Sequence, residues 1–146
     1  MIELQYESKF DGFLVDLREG PAEELNAAMF GGEPVFMYKR GATVSADAMA
    51  AETFGCLVWT ERFDGSPESV ATLFHELVHA SILRFEKSGV LRRAPKPKNV
   101  RNGLVSFDEL VANSVGELGE AFLGALSQGV AKMAVPPSDF RDESVR

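Results

Sequence analysis

The chain has 146 residues, of which 45% are apolar, with a net charge of −7 and one cysteine. Its length fits one domain over residues 1–146, and its apolar content can build a core without disulfides or a structural metal. The acidic balance excludes general attraction to nucleic acid, and no stretch is long and apolar enough to cross a membrane. The single cysteine and the absence of a signal-peptide pattern predict a soluble, cytoplasmic protein.

Strand patterns dominate the first part of the chain. Alternating or continuous apolar runs predict strands at residues 1–7, Phe13–Leu17, Pro34–Tyr38 and Cys56–Thr60. Pro21–Phe30 has Pro at its first position, acidic residues in its first turn and two glycines after it, so it is predicted to be a short helix. The Ala-rich residues 44–53 fit either a short helix or a loop.

Two long helices are predicted in the second part. Ser66 can serve as an N-cap before Pro67, which predicts a helix that continues to Glu86 or Lys87. Residues 91–103 are predicted to form a loop, a second helix begins near Ser106 and ends near Leu126, and residues 136–146 form a flexible tail. This order of elements predicts an α+β fold with a small mixed sheet packed against helices.

The first long helix carries the two histidines of the chain, in His75-Glu76-Leu77-Val78-His79. Residues four apart share one helix face, so both imidazoles can bind one zinc ion as two corners of a tetrahedron. Glu76 lies about 100° around the helix and can reach a water at the ion's open position. This is the arrangement of His-Glu-x-x-His metalloproteases, so we expect zinc to be the cofactor.

A structural role is the alternative for His75 and His79, which would then be partly buried and bind no metal. A helical wheel favours zinc because it places both histidines at the edge of the apolar side, where a cleft would lie. That apolar side is predicted to consist of Val70, Phe74, Leu77, Val78 and Phe85.

A third ligand must be acidic, or less plausibly Cys56, because no further histidine exists. Catalytic zinc sites often combine two histidines with one glutamate, and Glu109 at the start of the second long helix is the predicted ligand. Glu109 also completes a capping box with Ser106, which is the main competing role. Glu117 and Asp108 are the reserve candidates.

These motifs resemble the zincins of the gluzincin type, and more narrowly short phage and prophage metallopeptidase proteins, over roughly residues 54–126. The resemblance implies that His75, His79 and Glu109 bind zinc and that Glu76 is the catalytic base. It implies a zincin-like fold that hydrolyses peptide bonds in a peptide or protein substrate. It also implies that Cys56–Thr60 lies along the substrate cleft.

The sequence departs from this family in one respect, since no oxyanion donor is evident. Tyr38, Tyr6 and Arg101 are candidates, and nothing in the sequence selects one of them. An alternative function is therefore a zinc-binding, phage-type accessory or interaction protein that has the zincin fold and little or no hydrolytic activity.

A basic segment joins the two long helices. Residues 92–101 contain five basic side chains, which could favour an acidic protein or a nucleic-acid strand as a partner. Because no aromatic residue is interleaved to stack on a base, we favour a solvated loop, and nucleic acid is not the expected partner.

Overall fold

The structure, a computed structural model, describes residues 2–30, 40–45, 54–87, 107–129 and 132–134. The strands are β1 (Ile2–Glu7), β2 (Leu14–Glu19), β3 (Gly41–Ser45), β4 (Gly55–Thr60) and β5 (Lys132–Ala134). The helices are α1 (Ala22–Phe30), α2 (Pro67–Lys87) and α3 (Phe107–Ser127). This is an α+β architecture with a mixed sheet and two long helices, as predicted. None of the described helices combines the length and apolar character needed to cross a membrane.

The strands form one sheet in the order β3-β4-β2-β1-β5. Strand β2 pairs antiparallel with β1 and parallel with β4, whereas β3 pairs antiparallel with β4 and β5 parallel with β1. All six residues of β4 are buried, because the strand has a neighbour on each side and is covered on both faces. In this strand order, β3 is the outermost described strand at one end of the sheet.

Helices α2 and α3 cover one face of the sheet. Leu73, Leu77 and Leu118 are fully buried there against alternate residues of the strands, among them Val15 and Val58. The opposite face holds a smaller apolar cluster formed by Leu25, Ala42, Leu57 and Trp59. The Trp59 indole donates a hydrogen bond to the Gly20 carbonyl at 2.9 Å, which satisfies its one polar atom inside this cluster.

The start of α2 follows the predicted cap. The Ser66 hydroxyl accepts a hydrogen bond from the Ser69 N–H at 3.2 Å, and Asp64 accepts one from the Ser66 N–H at 2.9 Å. Hydrogen bonds from the side chain and backbone of Ser66, and from the Ser69 side chain, lower the pKa of Asp64 to about 2. This cap determines where the helix that carries the two histidines begins.

The predicted strands at residues 1–7, Phe13–Leu17 and Cys56–Thr60 are confirmed with small shifts at their ends, and so are all three helices. Three details were wrong. Pro21, predicted as the first residue of α1, precedes the helix, and its carbonyl accepts hydrogen bonds from the Glu24 and Leu25 N–H groups. Val78, predicted on the apolar side of α2, is exposed. Residues 44–45, predicted to be helix or loop, belong to β3. Strand β5 was not predicted. The predictions for Pro34–Tyr38, 46–53, 91–103 and 136–146 lie outside the described residues.

Gly55 provides a test of the β2–β4 contact. A Cβ atom at this position would overlap with the carbonyl group of Leu14, so the Gly55→Ala variant must shift paired backbone. We expect it to lose on the order of 3 kcal/mol of unfolding free energy in urea titrations. Gly124→Ala is the matched control, because the added methyl meets nothing within 4 Å and should stabilise α3 by roughly 0.5–1 kcal/mol. Equal stability of the two variants would contradict this account.

Candidate metal centre

His75 and His79 lie one turn apart on the exposed side of α2. Their Nε2 atoms are 3.3 Å apart, and the ring planes are inclined by 76° with their centroids 4.9 Å apart. The two nitrogens are thus brought together on the exposed side of the helix, as their four-residue spacing predicts.

The separation of the two nitrogens fits a shared tetrahedral ion. Two nitrogens at ~2.0–2.1 Å from zinc, about 109° apart, are separated by about 3.3–3.4 Å. The same 3.3 Å also permits one imidazole N–H to donate to the other imidazole, at the long end of the range for a hydrogen bond. The distance between the two nitrogens is therefore compatible with a shared metal ion and also with a hydrogen bond between the two rings.

Glu76 completes the group. Within the described ranges, His75, Glu76 and His79 form a set whose potential ligand atoms all lie within 4.8 Å of one another. The two imidazoles are exposed, whereas Glu76 is only 5% exposed. Its side chain extends toward β3, where its carboxylate contacts Thr43. The carboxylate is therefore close to the two nitrogens but largely protected from solvent.

Thr43 of β3 contacts Glu76 twice. Its hydroxyl oxygen lies 3.0 Å from the Glu76 backbone carbonyl oxygen and 3.0 Å from Glu76 Oε1. The edge of the sheet is thereby joined to the helix at the residue between the two histidines. Thr43 was not among the predicted site residues, although the β-branched pair Thr43-Val44 is typical of a strand.

A cleft of about 930 Å³ runs between β3 and α2. Both histidines and Glu76 line it, together with residues of β3 and the exposed side of α2, among them Gly41, Thr43, Val44, Ala71 and Ile82. The expectation that Cys56–Thr60 lies along the cleft was wrong. That segment is β4, which is separated from the cleft by β3.

Gly41 allows β3 to approach α2 closely. A Cβ atom on Gly41 would lie 3.0 Å from Thr72 Cγ2 and 3.1 Å from Glu76 Cγ. Gly41 and Thr43 are two residues apart in a strand, so both face α2. The small residue and the hydroxyl together hold the strand against the helix beside Glu76.

The proposed third ligand is not part of the His75-Glu76-His79 group. Glu109 and Asp108 are exposed in the first turn of α3. Ser106, the partner in the competing capping box, lies outside the described residues. The assignment of Glu109 as a zinc ligand therefore stays a prediction.

Glu117, a reserve candidate, has a different role. It is 2% exposed and pairs with Arg84 at 3.0 Å, while its second oxygen accepts a hydrogen bond from the Tyr6 hydroxyl at 2.6 Å. Each oxygen of the Glu117 carboxylate therefore already has a partner, on the core side of α2. These contacts also occupy the Tyr6 hydroxyl, so neither residue is arranged to act beside the histidines.

Arg84 is the centre of this buried network. Nε and Nη2 donate to the Asp11 carboxylate at 2.7 and 2.9 Å, Nη2 donates to Ser8, and Nη1 donates to Ser114 and Glu117. All five guanidinium N–H groups thus have an acceptor. Burial opposes the charge, but the Asp11 hydrogen bond and the two carboxylates outweigh it and raise the pKa of Arg84.

Cys56 is buried in the core between the sheet and the long helices. Burial, with a smaller effect from Asp16, raises the pKa of its thiol to about 12. A metal ligand must be the thiolate, so Cys56 is not arranged to be the third ligand.

Comparison of the chain with protein-family models, with curated proteins and with solved structures finds no match in any of the three. The His75-Glu76-His79 group and the cleft that contains it are therefore the features from which a function can be inferred.

The role of Glu117 can be tested by Glu117→Gln. Because the substitution removes the charge that faces Arg84, we expect a loss of about 1.5–3 kcal/mol in unfolding free energy. The affinity for added Zn²⁺, measured by calorimetric titration, should equal that of the unchanged protein. A selective loss of Zn²⁺ affinity without loss of stability would instead identify Glu117 as a ligand.

Proposed function

We propose that this protein is a zinc-dependent metallopeptidase of the zincin type that hydrolyses peptide bonds. The observation that carries the proposal is the 3.3 Å separation of the His75 and His79 nitrogens, with the Glu76 carboxylate beside them in an open cleft. Two nitrogen donors at a tetrahedral spacing and one sheltered carboxylate are the donor set that hydrolytic zinc sites use.

His75 and His79 would hold the ion, with Glu109 as the proposed third ligand. When bound, zinc polarises a carbonyl and lowers the pKa of a water toward ~7. The two imidazoles bind a metal ion in their neutral form, each through one ring nitrogen.

Glu76 acts as the general base. Its carboxylate takes the proton of the attacking water and later delivers it to the leaving nitrogen. Thr43 can serve both stages, because a hydroxyl can donate to an ionised carboxylate and accept from a protonated one. The backbone carbonyl of Glu76 offers the Thr43 hydrogen a second acceptor at the same distance.

An extended peptide is the proposed substrate. Strand β3 borders the cleft and is the outermost described strand on that side, so its outer edge can pair with an added strand. A peptide placed there would pass over the two histidines, with its side chains against Val44, Ala71 and Ile82.

The non-hydrolytic accessory protein is the second candidate, and one observation favours it. Tyr6 is the one candidate oxyanion donor within the described residues, and its hydroxyl donates to Glu117 in the core instead of facing the cleft. Such a protein would bind zinc through the same histidines and would not cleave peptides.

Glu76→Gln tests the proposed base. The amide has the shape of the carboxylate but cannot accept the proton, so we expect zinc at wild-type stoichiometry and a roughly 10²–10⁴-fold loss of peptide cleavage. Metal analysis of protein purified without added metal, followed by cleavage of a peptide library, measures both. Glu23→Gln, the same substitution at an exposed position of α1, is the control.

The outcomes of this experiment test separately whether Glu76 is the base and whether the protein cleaves peptides at all. Wild-type cleavage by Glu76→Gln would show that another group is the base. Zinc bound by the unchanged protein without any peptide cleavage would favour the accessory protein. Absence of metal after purification and after added Zn²⁺ would refute both functions and leave His75 and His79 as a hydrogen-bonded pair.

Glu109→Ala tests the third ligand. Loss of a ligand should weaken Zn²⁺ binding by more than the 10–100-fold typical of a lost outer partner, whereas loss of a helix cap costs about 1 kcal/mol of stability. Asp108→Ala is the matched control in the same helical turn, and calorimetric titration measures affinity in both. Zinc affinity that falls in Asp108→Ala and persists in Glu109→Ala would reverse the assignment.

A further inference from the structure

We infer that Thr43 is a positioning residue that holds the Glu76 carboxylate in the orientation needed for base catalysis. The inference rests on the proposed role of Glu76, and it concerns a residue on the opposite wall of the cleft, 33 positions earlier in the chain.

The two residues differ in stiffness. Glu76 has three side-chain torsions and could adopt many rotamers on a helix. Thr43 is β-branched with a restricted χ1 and lies within β3, which pairs with β4 along five residues. A hydrogen bond of 3.0 Å from the stiff side chain therefore restricts the flexible one.

The second contact of Thr43 strengthens this restraint. The same hydroxyl lies 3.0 Å from the Glu76 carbonyl oxygen, so it is located by the helix backbone as well as by its own strand. Gly41 on the same face of β3 leaves room for Glu76 Cγ, which a Cβ atom would approach to 3.1 Å. The strand thus provides both the space for the glutamate stem and the donor for its carboxylate.

A purely structural role is the alternative, in which Thr43 only attaches β3 to α2. Both roles predict some loss of stability when the hydroxyl is removed. They differ in the orientation of Glu76 and in kcat, because attachment alone does not require the carboxylate to keep one rotamer.

Crystal structures of metal-free Thr43→Val and Thr43→Ser proteins test orientation without relying on activity. Valine keeps the branched shape and removes the hydroxyl, so we expect Glu76 to leave the rotamer that faces β3. Serine keeps the hydroxyl, so Glu76 should stay. Thr43→Ala, which removes the hydroxyl and one methyl, is the second variant. An unchanged Glu76 rotamer in both the valine and the alanine proteins would overturn the inference.

Peptide cleavage provides the second readout. We expect Thr43→Val to lower kcat on the order of 10- to 100-fold, as a misplaced catalytic group does, with KM and zinc stoichiometry unchanged. Thr43→Ser should recover most of the lost kcat. Ser81→Ala is the control, because it removes a buried hydroxyl of α2 that bonds to Ser114 in the core and does not contact Glu76. Its kcat should equal that of the unchanged protein.

The outcomes separate the two proposals. Wild-type kcat in Thr43→Val would overturn the positioning role and leave the metallopeptidase proposal intact. A protein that binds zinc without cleaving peptides would refute the proposed function. The Glu76 rotamers in the crystal structures would then still decide whether Thr43 orients the carboxylate.

Discussion

The packing of α2 against the sheet is the contact on which the rest of the site depends. Leu73, Leu77 and Ala80 are fully buried on one side of this helix. Once that side is fixed, the 3.6-residue period determines the direction of every other position. His75 and His79 must then face outward, and Glu76 must face the end of the sheet, where β3 lies. The chemistry of the cleft thus follows from an apolar contact that contains no functional residue.

Arg84 determines how far α2 can slide or rotate within that contact. Its five donors reach the end of β1, the turn that follows it and α3, so a shift of the helix would break several charge-assisted hydrogen bonds together. Breaking a buried pair costs more than forming it contributes, because an isolated buried charge is left behind. The network therefore opposes displacement of α2 from its position between the sheet and α3. The two buried glutamates of the long helices thus differ in their surroundings. The Glu117 carboxylate pairs with Arg84 in the core, whereas Glu76 lines the cleft.

The parts of this structure that local patterns determine were predictable from the sequence. The Ser66 cap, the apolar period of α2 and the four-residue spacing of the histidines all act within one helix. The structure agrees with each, except that Val78 of the predicted apolar side is exposed. The contacts of Thr43 with Glu76 and of Arg84 with Glu117 join residues 33 positions apart, and no local pattern encodes such pairs. Strand β3 was missed because Gly41-Ala42-Thr43-Val44-Ser45 is short and weakly apolar. It depends on pairing with β4 more than on its own propensity.

Two glycines determine how closely α2 approaches its neighbours. Gly41 lies against Thr72 and Glu76 on the β3 side, and Gly119 of α3 lies against Phe74, where a Cβ atom would be 2.6 Å from the ring. Larger residues at these positions would move β3 or α3 outward from α2. The first movement would separate Thr43 from Glu76, and the second would change how far Glu109, in the first turn of α3, lies from the two histidines. The positions of Thr43 and of the start of α3 relative to the two histidines therefore depend on the small size of Gly41 and Gly119.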